Sequence, residues 1–220
     1  MSPARPERPP AHITALRVFG VVFGAVLVVS VGLCWWAGFF DSVTVAPGAA
    51  GPFHFLYREH IGPYEGVRMA IHDVALYVER TAGSKPRRGF SVYLDDPSVV
   101  PREHLRSLGG CLTDTLFTAP PAPYRSATQD SVEAVVATFR LRSFFSYMTG
   151  VFKAYPALDD FLRRRGDTLT GPVIEIYDLD RHRIDYVALI GPGSVLPDTA
   201  QEAPRAGALT TGSTETTERK

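Results

Sequence analysis

The sequence predicts an α+β domain built as a duplicated β-α-β-β unit, with two helices over an antiparallel sheet, preceded by one transmembrane helix. Three observations lead there. One uninterrupted apolar run lies near the N-terminus, and two later segments carry apolar residues at helical spacing. Each of those two segments is flanked by short β-branched or alternating runs that end at Gly, Pro or Asp.

Residues 1–17 are rich in Pro, Arg and Ala and read as a disordered lead-in. From Val18 to Phe40 no Asp, Glu, Lys, Arg or His interrupts the chain. At about 1.5 Å per residue such a run crosses the roughly 30 Å hydrocarbon layer. Trp35, Trp36, Phe39 and Phe40 cluster at its far end, where aromatic rings favour the headgroup level. A cleaved signal peptide would have a shorter apolar core and a small-x-small site, and no clean site of that kind follows Phe40. The expectation is an uncleaved anchor over residues 18–40. Gly20 and Gly24 form a GxxxG pair, which would let two anchors pack as a homodimer.

Residues 41–52, with Ala46-Pro47-Gly48 and Gly51-Pro52, read as a linker, and residues 53–191 as the folded domain. Phe53 to His60 has the pattern of a strand, closed by Gly62-Pro63. Glu65 to Arg80 reads as a helix, because Val67, Ile71, Val74 and Val78 fall on one face. Gly89 to Leu94 is a strand ended by the turn signal Asp95-Asp96-Pro97. Residues 101–118 suggest a helical turn and then a strand near Cys111; Ala119 to Pro123 is a loop. Val132 to Leu141 is a strand of largely apolar, β-branched residues.

Phe144, Met148, Val151, Tyr155, Leu158 and Leu162 then mark a second helical stripe, with a kink or restart expected at Pro156. Arg163-Arg164-Arg165-Gly166 is a helix ending, cations near the last carbonyls and Gly beyond them. Val173 to Tyr177 and Ile184 to Ile190 are the last strands, and residues 192–220 read as a disordered, Thr-rich tail.

Composition narrows the function classes. Lys plus Arg and Asp plus Glu number 23 each, so the basic excess of a nucleic-acid binder is absent and no nucleic-acid partner is expected. Lys85-Pro86-Arg87-Arg88 reads as a solvated loop. The two cysteines, Cys34 in the apolar run and Cys111 in the domain, cannot pair, so there is no disulfide framework. His12, His54, His60, His72, His104 and His182 show no metal spacing, and no GxSxG or triad context occurs. Neither a metal nor another cofactor is expected. Arg5, Arg8 and Arg17 precede the apolar run and the first basic residue after it is Arg58, which by the positive-inside rule puts the domain outside the cytosol.

Certain motifs resemble a known family. His60-Ile61-Gly62-Pro63-Tyr64 after a strand, Ser91 to Pro97, and Pro172 to Tyr177 resemble the GyrI-like domains of gyrase inhibitors and drug-sensing regulators. Val99-Val100-Pro101, Val135 to Phe139, Tyr155-Pro156-Ala157-Leu158-Asp159 and Glu175-Ile176-Tyr177 are similar to the anchored branch of that family that serves as endoplasmic-reticulum-phagy receptors. The resemblance covers about residues 18–190 and implies a single-pass receptor of the endoplasmic reticulum with a cytosolic domain, opposite to the arginine count. The expectation is a cytosolic domain. Such receptors carry an aromatic-x-x-aliphatic docking motif in a disordered tail, and no Phe, Trp or Tyr occurs from Pro192 to Lys220. Tyr186-Val187-Ala188-Leu189 fits the pattern but lies in a predicted strand.

The resemblance also implies a ligand site. On a strand, Ile174 and Ile176 share one face and Val173, Glu175 and Tyr177 the other. With the isoleucines under the helices, Glu175 would point to the opposite, concave face. There the drug-binding relatives hold hydrophobic cations on a buried glutamate inside an aromatic wall. Tyr57, Tyr93, Phe139, Tyr177 and Tyr186 are the aromatics available for it. The expectation is a binding or receptor module for a small hydrophobic or cationic ligand, or a protein. The alternatives are a hydrolase of small reactive molecules with Glu175 as general base, and a scaffold without a working pocket.

Overall fold

The computed structural model describes residues 11–167 and 171–190. The expected disordered ends lie outside them, apart from residues 11–17. Helix α1 (Ala11–Trp36) comes first. Strands β1 (Thr44–Ala50) and β2 (Phe53–Ile61) follow, then helix α2 (Val67–Ala82) and strands β3 (Arg88–Tyr93) and β4 (Arg106–Thr113). The second half repeats the order: β5 (Arg125–Gln129), β6 (Val132–Arg140), α3 (Phe145–Arg164), β7 (Ile174–Asp178) and β8 (Arg183–Leu189).

All eight strands form one antiparallel sheet in the order β1-β6-β8-β7-β3-β4-β2-β5. The duplicated unit is present, and each copy has one more strand than the sequence suggested. β1 leads the first copy but pairs with β6 of the second, and β5 leads the second but pairs with β2 of the first. Each repeat thus lends its first strand to the other. The seam between the repeats is the central pair β3 and β7.

This connectivity forces the sheet to curl. In a flat sheet the first and seventh strands would be about 29 Å apart at roughly 4.8 Å per strand. Yet only Gly51-Pro52 joins β1 to β2, and three Cα–Cα steps of about 3.8 Å span at most roughly 11 Å. The same holds for Asp130-Ser131 between β5 and β6. The curled inner face closes on itself: Phe55, Tyr57, Phe90, Leu108, Ile174 and Val187 make a core with no helix in it.

The outer face carries the helices. α2 rests mainly on β2, β3 and β4, with Val74 and Val78 on Leu56 and Cys111. It comes close because β4 has Gly109 beneath it, where a Cβ would lie 2.9 Å from the Val67 carbonyl oxygen. α3 rests on β6, β8 and β1, burying Ala154, Leu158 and Leu162 against Val135, Ala137, Phe139, Ile184 and Tyr186.

Several expectations need correction. α1 runs over 11–36 rather than 18–40, because Gly38 at φ +78° turns the chain out of the helix. Its span from Leu16 to Trp36 is long and apolar enough to cross a membrane. Residues 44–50, read as linker, are an edge strand, whose outer side needs no hydrophobic pattern. α3 continues through Pro156 without a restart. Pro156 and Phe152, whose carbonyl loses its partner, lie on the exposed side of the helix. Phe144 and Met148, placed on the core stripe, are exposed; the buried stripe is Ser146, Gly150, Ala154, Leu158 and Leu162. The end of α3 is as expected, with the Asp167 and Gly166 amides donating back to the Leu162 and Arg163 carbonyls.

Candidate functional site

Strand register decides which side chains meet between the helices. Gly89, Ser91 and Tyr93 alternate onto the same face as Cys111, Gly109 and Ser107, which lie under α2. Ser91 pairs with Glu175 and Gly89 with Tyr177; Glu175 and Tyr177 in turn face Tyr186 and Ile184. Glu175 therefore lies on the helix face, at the seam between α2 and α3. The isoleucines take the other face, in the curled core. That reverses the expected assignment. The inner face was expected to be open, but the curl fills it with apolar side chains, so the Glu175 cluster lies on the outer face, between the helices.

Glu175 is 2 % exposed. The Tyr155 hydroxyl, from α3, donates to its Oε1 at 3.0 Å, and the Tyr177 hydroxyl donates to its Oε2 at 2.9 Å. With Glu175 ionised, Tyr177 gives its proton to the carboxylate, and Ser91 Oγ, at 2.7 Å, then donates to Tyr177. No Lys, Arg or His pairs with Glu175 among the described residues. Burial pushes the carboxyl up to about 7, and the two phenol hydrogen bonds only partly offset this. Burial and the Glu175 charge also push up Tyr155, Tyr177 and Tyr186, and Tyr93 to about 12, so all four phenols stay protonated donors.

The tyrosines are fixed from several elements. Tyr147 of α3 packs edge-on against Tyr177 at 5.4 Å, and Tyr155 against Tyr186 at 5.9 Å. Tyr64 tilts against Tyr93 at 4.6 Å. Its hydroxyl donates to the Asp95 carbonyl, and Asp95, clamped by Arg106, is held below its ordinary carboxylate value by those hydrogen bonds. The turn before α2 is structural: His60 Nε2 lies 2.9 Å from the Pro63 carbonyl, and its ring occupies the place a Cβ at Gly66 would take.

Of the six residues expected at the site, the structure brings together Glu175, Tyr93, Tyr177 and Tyr186. Tyr57 is on the opposite face, against Phe90 in the inner core, because β2 presents its even-numbered residues to α2. Phe139 shares the helix face but is sealed under α3 beside Gly38. Tyr186 lies below Gly150, whose missing side chain makes room for the phenol, and its hydroxyl has no partner among the described residues. Tyr64, Ser91, Tyr147 and Tyr155 went unnoticed as site residues. Tyr147 and Tyr155 are two helical turns apart on one face; the predicted stripe placed Tyr155 in the core and left Tyr147 out. Tyr186 to Leu189 lies within β8, paired on both sides and largely buried, so it offers no docking strand.

No protein-family model and no curated protein matches the chain. Solved structures similar to it include the EcmrR–DNA complex, at 11 % identity and a TM-score of 0.49 over 83 % of this chain and 73 % of that one. The EcmrR C-terminal domain gives 14 % identity and a TM-score of 0.48 over 67 % and 99 %. An uncharacterised conserved protein from Listeria innocua gives 10 % and 0.44 over 68 % and 93 %.

Proposed function

We propose that the chain is a membrane-anchored binding module that takes a lipophilic cation into the tyrosine cluster between α2 and α3, with Glu175 as its counter-charge. One observation carries this reading: a carboxyl 2 % exposed, ringed by phenols, with no cation beside it among the described residues. Such a group is costly to ionise alone, and a bound cation removes that cost. The tyrosine faces add attraction for the same charge. The orphaned Tyr186 hydroxyl adds an unused donor under α3. The α1 span supports the anchor. The motif resemblance supports the endoplasmic reticulum as its bilayer, with the domain in the cytosol.

The test is a titration of the full chain in detergent with tetraphenylphosphonium and with its neutral counterpart triphenylphosphine oxide. The cation binds and the neutral compound binds at least about tenfold more weakly, and Glu175→Gln removes the difference, which corresponds to roughly 1.4 kcal/mol. Equal affinity for both compounds in the wild type would sink the counter-charge. Protease digestion of a C-terminal tag in sealed microsomes tests the topology: a cytosolic domain is cleaved, and protection would place it in the lumen.

A further inference from the structure

The two domain helices differ on their outward sides. α2 shows Arg68, Met69, His72, Leu76 and Arg80 there, a mixed surface suited to water. α3 shows Phe145, Met148, Phe152 and Pro156, at spacings of three, four and four, with Phe144 just before them. Phe152 is 74 % exposed, Met148 59 % and Phe145 52 %. That face carries no charge over three turns, opposite the buried stripe of the same helix.

The exit of α1 is fastened to this end of α3. Trp36 meets Phe145 edge-on at 6.0 Å, and the Arg142 guanidinium lies 5.1 Å from the Trp35 ring. Arg142 Nε and Nη2 bind the Asp41 carboxylate at 2.5 and 2.8 Å. Lys153 Nζ donates to the Phe39 carbonyl and, at 2.7 Å, to that of Asp41. The aromatic end of the anchor and the apolar face of α3 are therefore one continuous surface.

We infer that the outward face of α3 lies in the headgroup–acyl boundary of the bilayer that α1 crosses, so that the domain rests on the membrane along α3. This rests on reading α1 as a membrane span. Tryptophans ending a spanning helix sit at the interface, and Phe145, touching Trp36, is then at that depth. An uncharged helix face that continues from that depth is the pattern of an interfacial helix. From Phe145 to Pro156 it extends about 16 Å at roughly 1.5 Å per residue.

The experiment uses the full chain, one copy per phosphatidylcholine nanodisc, with an environment-sensitive NBD label on a single cysteine. Phe152→Cys in a Cys34→Ser background reports on α3, native Cys34 on the anchor and Met69→Cys, also with Cys34→Ser, on α2; Cys111 is buried throughout. Lipids brominated high on the acyl chain should quench the labels at 152 and 34 at least twofold and leave that at 69 unchanged. A label at 152 that behaves like the one at 69, with 34 quenched, overturns the inference and leaves the anchor standing. An unquenched label at 34 overturns both. A blue-shifted but unquenched label at 152, appearing only with two copies per disc, assigns the face to a second chain instead and equally overturns it.

Discussion

Replacing Glu175 with Gln tests the electrostatics of the tyrosine cluster without any ligand. The carboxyl ionises at about 7 in the folded chain against an ordinary value of 4.5, with burial as the main cause. Between those values the folded state holds a proton that the unfolded state has released. Stability from this group is therefore full below about pH 4.5 and is lost as pH rises through about 7. At 1.36 kcal/mol per pH unit the total is roughly 3 kcal/mol, an upper figure because the buried site relaxes. Urea unfolding of the full chain in detergent, followed by tyrosine near-ultraviolet circular dichroism at pH 4.5 to 8, measures it. Other titrating groups contribute to both proteins alike, so the difference in slope isolates Glu175. The wild type should lose roughly 2–3 kcal/mol more than Glu175→Gln across that range. Parallel curves would refute the claim that the carboxyl is buried without a counter-charge.

Three further changes probe neighbouring residues. Tyr155→Phe removes the donor to Glu175 Oε1 and should destabilise by about 1.5–3 kcal/mol at pH 8, but by less at pH 5, where the carboxyl is neutral; urea midpoints at both values decide. Gly150→Ala places a methyl against the Tyr186 hydroxyl and should cost about 1–3 kcal/mol, and adding Tyr186→Phe should recover much of it. A double-mutant cycle with no coupling would contradict that contact. Asp95→Asn loses the Arg106 clamp and should cost about 2 kcal/mol at pH 7. Because Asp95 is held below its ordinary value, the deficit should shrink as pH falls below about 4, and a deficit constant with pH would refute the pairing.

Much of the fold was legible because periodicity reports burial. The valines of α2 and the short runs of β2, β3, β6, β7 and β8 each had one buried face and a clear boundary. β1 and β5 did not show, since an edge strand such as Arg125–Gln129 pairs on one side and tolerates polar residues. The swapped leading strands, and the curl they force, are long-range pairings that no local pattern encodes. That curl explains the error in facing. Alternation along β7 correctly separated Glu175 from Ile174 and Ile176, but it cannot say which face meets a helix. The outward face of α3 misled for a related reason: Phe144 and Met148 have core-like spacing, but the stripe from Ser146 to Leu162 is the one that meets the sheet.

If Glu175 becomes charged when a cation binds beside it, binding must release a proton. Calorimetric titration of the full chain with tetraphenylphosphonium at pH 6, in two buffers of different ionisation enthalpy, counts the protons. With the carboxyl at about 7, most of it is protonated before binding, so release should approach one proton in the wild type and vanish in Glu175→Gln. Binding in the wild type with no proton released, or the same release from both proteins, would show that Glu175 is not the counter-charge.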